Sequence, residues 1–88
     1  MRMDLTIINE KGLHARASAK FVETVEAFDA QATVSKDGFD VGGDSIMGLM
    51  MLAASKGCEI TVETSGNQAA ELGDAIKALV GDYFGEGK

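Results

Sequence analysis

Gln31-Ala32-Thr33-Val34-Ser35-Lys36-Asp37-Gly38-Phe39-Asp40-Val41-Gly42-Gly43 reads as a β-hairpin. Ala32 and Val34 alternate with polar neighbours, which gives a strand one apolar face. Asp37-Gly38 supplies a two-residue turn whose central positions take positive φ, and Asp-Gly is among the pairs that tolerate it. Phe39 and Val41 resume the alternation, and Gly42-Gly43 closes the second strand. A chain with this hairpin is not a helical bundle, and that constrains the reading of everything on either side.

Upstream, Met3, Leu5 and Ile7 alternate with Asp4 and Thr6, a strand that Asn9-Glu10-Lys11-Gly12 ends. From Ala15 to Phe28 the residues Ala17, Phe21, Val25 and Phe28 recur at helical spacing, and Val22 widens the stripe. Lys20, Glu23 and Glu26 lie off it. Downstream, Asp44 or Ser45 can cap a second helix from about Ile46 to Ser55, and Gly57 suits its stop. Residues 59–64 alternate through Ile60 and Val62. Ser65-Gly66-Asn67 turns into a last helix whose face is Ala69, Leu72, Ile76, Leu79, Val80 and Tyr83; Gly73 and Gly81 weaken it by about 1 kcal/mol each against alanine. The order is β-α-β-β-α-β-α. An α+β fold follows, with helices on one face of a four-stranded, mainly antiparallel sheet.

The 88 residues suit one small domain spanning 1–88. A formal net charge of −6 argues against a nucleic-acid binder, which needs a basic face, and permits docking to a basic protein surface. The lone Cys58 excludes an internal disulfide and makes a reducing cytoplasm the simpler expectation. No long apolar run follows Met1-Arg2-Met3-Asp4, so no signal peptide and no membrane insertion are expected.

His14, the only histidine, stands in Gly12-Leu13-His14-Ala15-Arg16-Ala17, where a helix begins. A phosphoryl acceptor must be an unprotonated nucleophile near neutral pH, and imidazole qualifies. The amides of Ala15, Arg16 and Ala17 have no intrahelical acceptor and can hold the transferred charge, aided by the helix dipole. Arg16 can add a charge-assisted bond. The competing reading is a surface histidine at a helix start. One histidine and one cysteine make a metal site improbable, no residue set spells a hydrolase triad, and no cofactor is expected.

The stretch Asp44-Ser45-Ile46-Met47-Gly48-Leu49-Met50-Met51-Leu52 has more apolar residues than one buried stripe requires. With Leu49 and Leu52 in the core, Ile46, Met47 and Met50 form an adaptable partner surface. The plain alternative is a wholly buried helix, which so small a domain accommodates poorly. Ser45 serves as a cap; phosphorylation there would put charge at the edge of the patch, against repulsion from Asp44.

These residues carry a resemblance. Gly12-Leu13-His14-Ala15-Arg16, the Ser45-Ile46-Met47-Gly48-Leu49-Met50 stretch and Lys56-Gly57 are similar to the HPr family, the histidine phosphocarriers of the bacterial phosphoenolpyruvate phosphotransferase system. The resemblance covers almost the whole chain. It implies an open-faced sandwich with sheet order 1-4-2-3. It also implies a phosphoryl group taken on Nδ1 of His14 from enzyme I and passed to an enzyme IIA protein, with Arg16 as the active-site arginine and a monomeric carrier without turnover of its own. Ser45 would match the serine modified by HPr kinase/phosphorylase, and Ile46, Met47 and Met50 the docking surface. The family usually has proline where Ala17 stands, a departure that leaves an extra N–H; the Ala17-Ser18 variant looks like forms associated with the nitrogen-related regulatory branch, and the resemblance leaves both that branch and sugar transport open. Two other functions compete. An acyl carrier protein, with phosphopantetheine on Ser45, fits the Asp-Ser motif and the acidity but not the strands. A regulatory binding module acting through Ser45 and the patch leaves His14 and Arg16 without a role.

Overall fold

The computed structural model describes residues 1–88. Its elements are β1 (Arg2–Thr6), α1 (Ala15–Glu26), β2 (Gln31–Lys36), β3 (Phe39–Gly42), α2 (Ile46–Met51), β4 (Glu59–Ser65) and α3 (Ala69–Gly81), followed by a 3-10 turn at Tyr83–Gly85. The sheet order is β1-β4-β2-β3 with every neighbouring pair antiparallel. The Asp37-Gly38 turn has φ of 52° and 81°, as a two-residue hairpin demands.

Register explains why one face is covered and the other open. Met3, Val62, Val34 and Val41 stand opposite one another across the four strands. One residue along, the row is Asp4, Thr61, Ser35 and Asp40, and it faces solvent, with Thr61 Oγ1 donating to Asp4 at 2.7 Å. Because side chains alternate, a slip of one residue would exchange these rows. The apolar row meets Phe21, Val22 and Val25 of α1 and Leu72, Ile76 and Val80 of α3 in one core. Each large apolar side chain taken fully out of water stabilises by about 1.5–3 kcal/mol. The sheet is incompatible with the helical bundle of an acyl carrier.

Three expectations need correction. The first helix stops at Glu26, so Phe28 lies beyond it, half-buried against the core. The second helix ends at Met51, not near Ser55, and Gly57 is not its stop. Leu52 and Ala54 are both buried, and residues two apart point to opposite sides of a helix, so the helix must break between them. Ala53 makes the break at φ 51°, while Gly57 sits in the turn into β4, its N–H donating to Ile7 at 2.8 Å. Finally, Tyr83 lies outside the last helix and is 38% exposed; Phe84 is the buried aromatic instead.

Candidate functional site

The loop between β1 and α1 is shaped by Gly12. It sits at φ 63°, and a Cβ there would lie 2.3 Å from the carbonyl oxygen of Ala54. The close approach lets Leu13 donate its N–H to that same carbonyl at 2.9 Å. The loop is thereby fastened to the segment leaving α2, and His14 emerges as the N-cap of α1, with φ −75° and ψ −178°.

The His14 side chain does not cap its helix. The first amide with an intrahelical partner is Ser18, bonded to the His14 carbonyl at 2.9 Å. The N–H groups of Ala15, Arg16 and Ala17 therefore remain available as donors, as the sequence suggests. Arg16 is exposed and in no ion pair. The imidazole keeps 28% of its surface and opens into a shallow cavity of about 250 Å³, which Lys11, Arg16 and Lys88 line together with Glu10 and Glu86.

Sequence reasoning missed a partner of the ring, Glu86, and the residue that holds that partner, Asn9. Glu86 contacts Nε2 of His14 through Oε2. Its other oxygen accepts from Nδ2 of Asn9 at 2.9 Å. Asn9 is fully buried, and the same Nδ2 donates to the Gly12 carbonyl at 2.9 Å. Its Oδ1 has no partner, an arrangement that costs about 1–3 kcal/mol. Turning the amide over would set that oxygen against a carboxylate and a carbonyl, so the orphan is the lesser cost. Burial raises the Glu86 pKa, but hydrogen bonds from Asn9 and His14 and the nearby charges of His14 and Lys11 outweigh it and leave the group below its ordinary value. No spacing rule joins Asn9 to a residue 77 positions on.

Glu86 is delivered by the turn before it. Tyr83, Phe84 and Gly85 all take positive φ, at 57°, 53° and 74°. Two non-glycine residues in that region cost about 1–2 kcal/mol each. Burial of Phe84 and a 2.6 Å bond from Lys20 Nζ to its carbonyl offset this.

At α2, Ser45 and not Asp44 is the cap: Ser45 Oγ accepts from the Gly48 N–H at 3.0 Å. A Cβ on Gly48 would stand 3.1 Å from both that oxygen and Val41 Cβ, so glycine suits the close cap. Leu49 and Leu52 are buried. Ile46, Met47 and Met50 are exposed, Met47 at 71%, and Met51, which the sequence reading left out, is exposed at 65%.

The molecule is an open-faced sandwich with one imidazole at a helix N-terminus, an unpaired arginine beside it and an exposed apolar patch on α2. The chain matches the family model for the PTS HPr component phosphorylation site over residues 1–82. It is 49% identical over 88 residues to the phosphocarrier protein HPr of Neisseria meningitidis, covering 100% of this chain and 99% of the relative. It is 48% identical to that of Cupriavidus necator with the same coverage. Among solved structures, HPr-C-His from Thermoanaerobacter tengcongensis superposes with a TM-score of 0.93 at 37% identity, covering 98% of this chain and 97% of the other. The chain belongs to the HPr family of phosphotransferase-system phosphocarriers.

Proposed function

We propose that the chain, read as a single 1–88 domain acting as a cytoplasmic monomer, carries a phosphoryl group on His14 between enzyme I and an enzyme IIA protein. The observation that carries this reading is the partly exposed His14 ring: it caps nothing, its Nδ1 has no partner in the fold, and it stands beside Arg16 and three unpaired amides. In the reaction, Nδ1 attacks the phosphorus of the donor, the N–P bond forms as the donor's bond to phosphorus breaks, and the next acceptor reverses the step. The amides of Ala15, Arg16 and Ala17 and the Arg16 guanidinium hold the phosphoryl oxygens. Ile46, Met47 and Met50, with Met51 beside them, form the docking surface. Ser45 is a second, regulatory phosphorylation point for a kinase of the HPr kinase/phosphorylase type. No cofactor takes part.

The test is incubation with phosphoenolpyruvate and enzyme I, followed by intact-mass measurement. An acid-labile, alkali-stable adduct that disappears in His14→Ala supports the carrier. Absence of any adduct overturns it, and an acid-stable adduct at Ser45 alone supports a regulatory module. Arg16→Ala slows transfer by about tenfold or more, the worth of a charge-assisted bond, with the fold intact. Transfer from the phosphorylated chain to IIA proteins of the sugar-transport and nitrogen-related branches reads out which of the two it serves.

A further inference from the structure

Glu86 does more than cover the ring. Its Oε2 contacts Nε2 of His14 while its Oε1 is held by Asn9, so the carboxylate can neither swing away nor rotate without breaking a part-buried contact. The side chain is only 12% exposed. The turn that brings it is anchored by fully buried Phe84 and by Lys20 Nζ on the Phe84 carbonyl.

An ionised carboxylate only accepts hydrogen bonds. The ring nitrogen facing it must then carry the proton. In a neutral imidazole this places the lone pair on the other nitrogen, Nδ1. We propose that Glu86, held by Asn9, is the positioning residue that fixes the Nε2–H form of His14 and so directs the phosphoryl group to Nδ1; this role rests on the carrier reading above.

The step balances without a proton transfer. The Nδ1 lone pair forms the N–P bond, the leaving group of the donor departs with its own electron pair, and the Nε2 proton stays in place. The ring becomes cationic as the bond forms, and the Glu86 carboxylate lies against the nitrogen that shares that charge. An acceptor fixed before the reaction needs no reorganisation when charge develops. The phosphoryl oxygens meanwhile turn to the other side of the ring, away from the carboxylate.

The test combines a measurement that needs no phosphoryl transfer with one that does. Nitrogen-15 NMR of the neutral His14 ring in alkaline solution reports which nitrogen holds the proton. The wild-type chain shows Nε2 protonated and Nδ1 bare, and Glu86→Ala shows both tautomers. In phosphoryl uptake from phosphorylated enzyme I, Glu86→Ala lowers kcat by about tenfold while KM changes by less than about twofold, since the lost bond is charge-assisted and Glu86 is not one of the exposed apolar residues of the patch. Glu86→Gln, whose amide oxygen accepts without charge, falls between the two, and it serves in both measurements should the alanine variant fold poorly. Unchanged ring shifts together with unchanged kcat in both variants overturn the role of Glu86 and leave the carrier intact. Failure of the wild-type chain to take up a phosphoryl group overturns the carrier reading and this role with it.

Discussion

Gly12 and His14 are two residues apart, and they differ in how they could be read. His14 is conspicuous because its chemistry is single: one imidazole at one helix start. Gly12 looks like ordinary turn punctuation, yet the site hangs on it. At φ 63° with the Ala54 carbonyl 2.3 Å from where a Cβ would be, it holds the His14 loop against the exit of α2. Gly12→Ala combines a left-handed backbone cost with a forced separation of these segments. The expected loss is about 2–4 kcal/mol of stability, read as a lowered denaturant midpoint at unchanged m-value. A variant as stable as the wild type would mean the loop moves freely away from Ala54. Asn9 and Glu86 were illegible for another reason. Each is an ordinary polar residue in sequence, and only the tertiary fold joins Asn9 to Glu86 and Glu86 to the ring.

Elements were legible where a single periodicity governs them and not where two buried groups compete. β2 and β3 follow from alternation and the Asp-Gly turn, and β4 from Ile60 and Val62, each to within a residue of the structure. The end of α2 did not, because burial of both Leu52 and Ala54 overrides helix continuation. The same competition at the end of α3 exchanges Tyr83 for Phe84 as the core aromatic. The exposed side of α2 was readable in part: with Leu49 and Leu52 assigned to the core, Ile46, Met47 and Met50 fall outward as expected, whereas the exposed Met51 was not among them. Met47→Asp should therefore change stability by no more than about 0.5 kcal/mol. It should weaken binding to enzyme I by at least about 1 kcal/mol, roughly fivefold, if Met47 is an anchor of the interface. Calorimetric titration against enzyme I beside thermal unfolding measures both quantities. Leu49→Asp is the contrast, losing the fold because that side chain is fully buried. A Met47→Asp chain that unfolds as Leu49→Asp does would remove the docking surface.

Across the whole molecule, both ends of the chain's packing converge on the His14 ring. β1 leads into the His14 loop, and the turn after α3 folds back to the same ring through Glu86. The two are joined by Asn9, so the site and global stability are linked through one ionisable group. Glu86 titrates below its ordinary value of 4.5 in the folded chain. The sign follows from which state binds the proton more readily. Between the unfolded and folded pKa values the unfolded chain is the more protonated, so stability rises with pH there. The contribution of Glu86 is thus present above the unfolded value of 4.5 and is lost as pH falls through the lower folded value. Glu86→Gln has no such titration. The stability advantage of the wild-type chain over Glu86→Gln should accordingly shrink as the solution is taken below 4.5, and vanish or reverse once the carboxyl is protonated in the folded state. Urea unfolding of both chains across the acid range gives the difference directly. An advantage that stays constant throughout, or grows on acidification, would mean that Asn9 and His14 do not hold the Glu86 carboxylate in its ionised form.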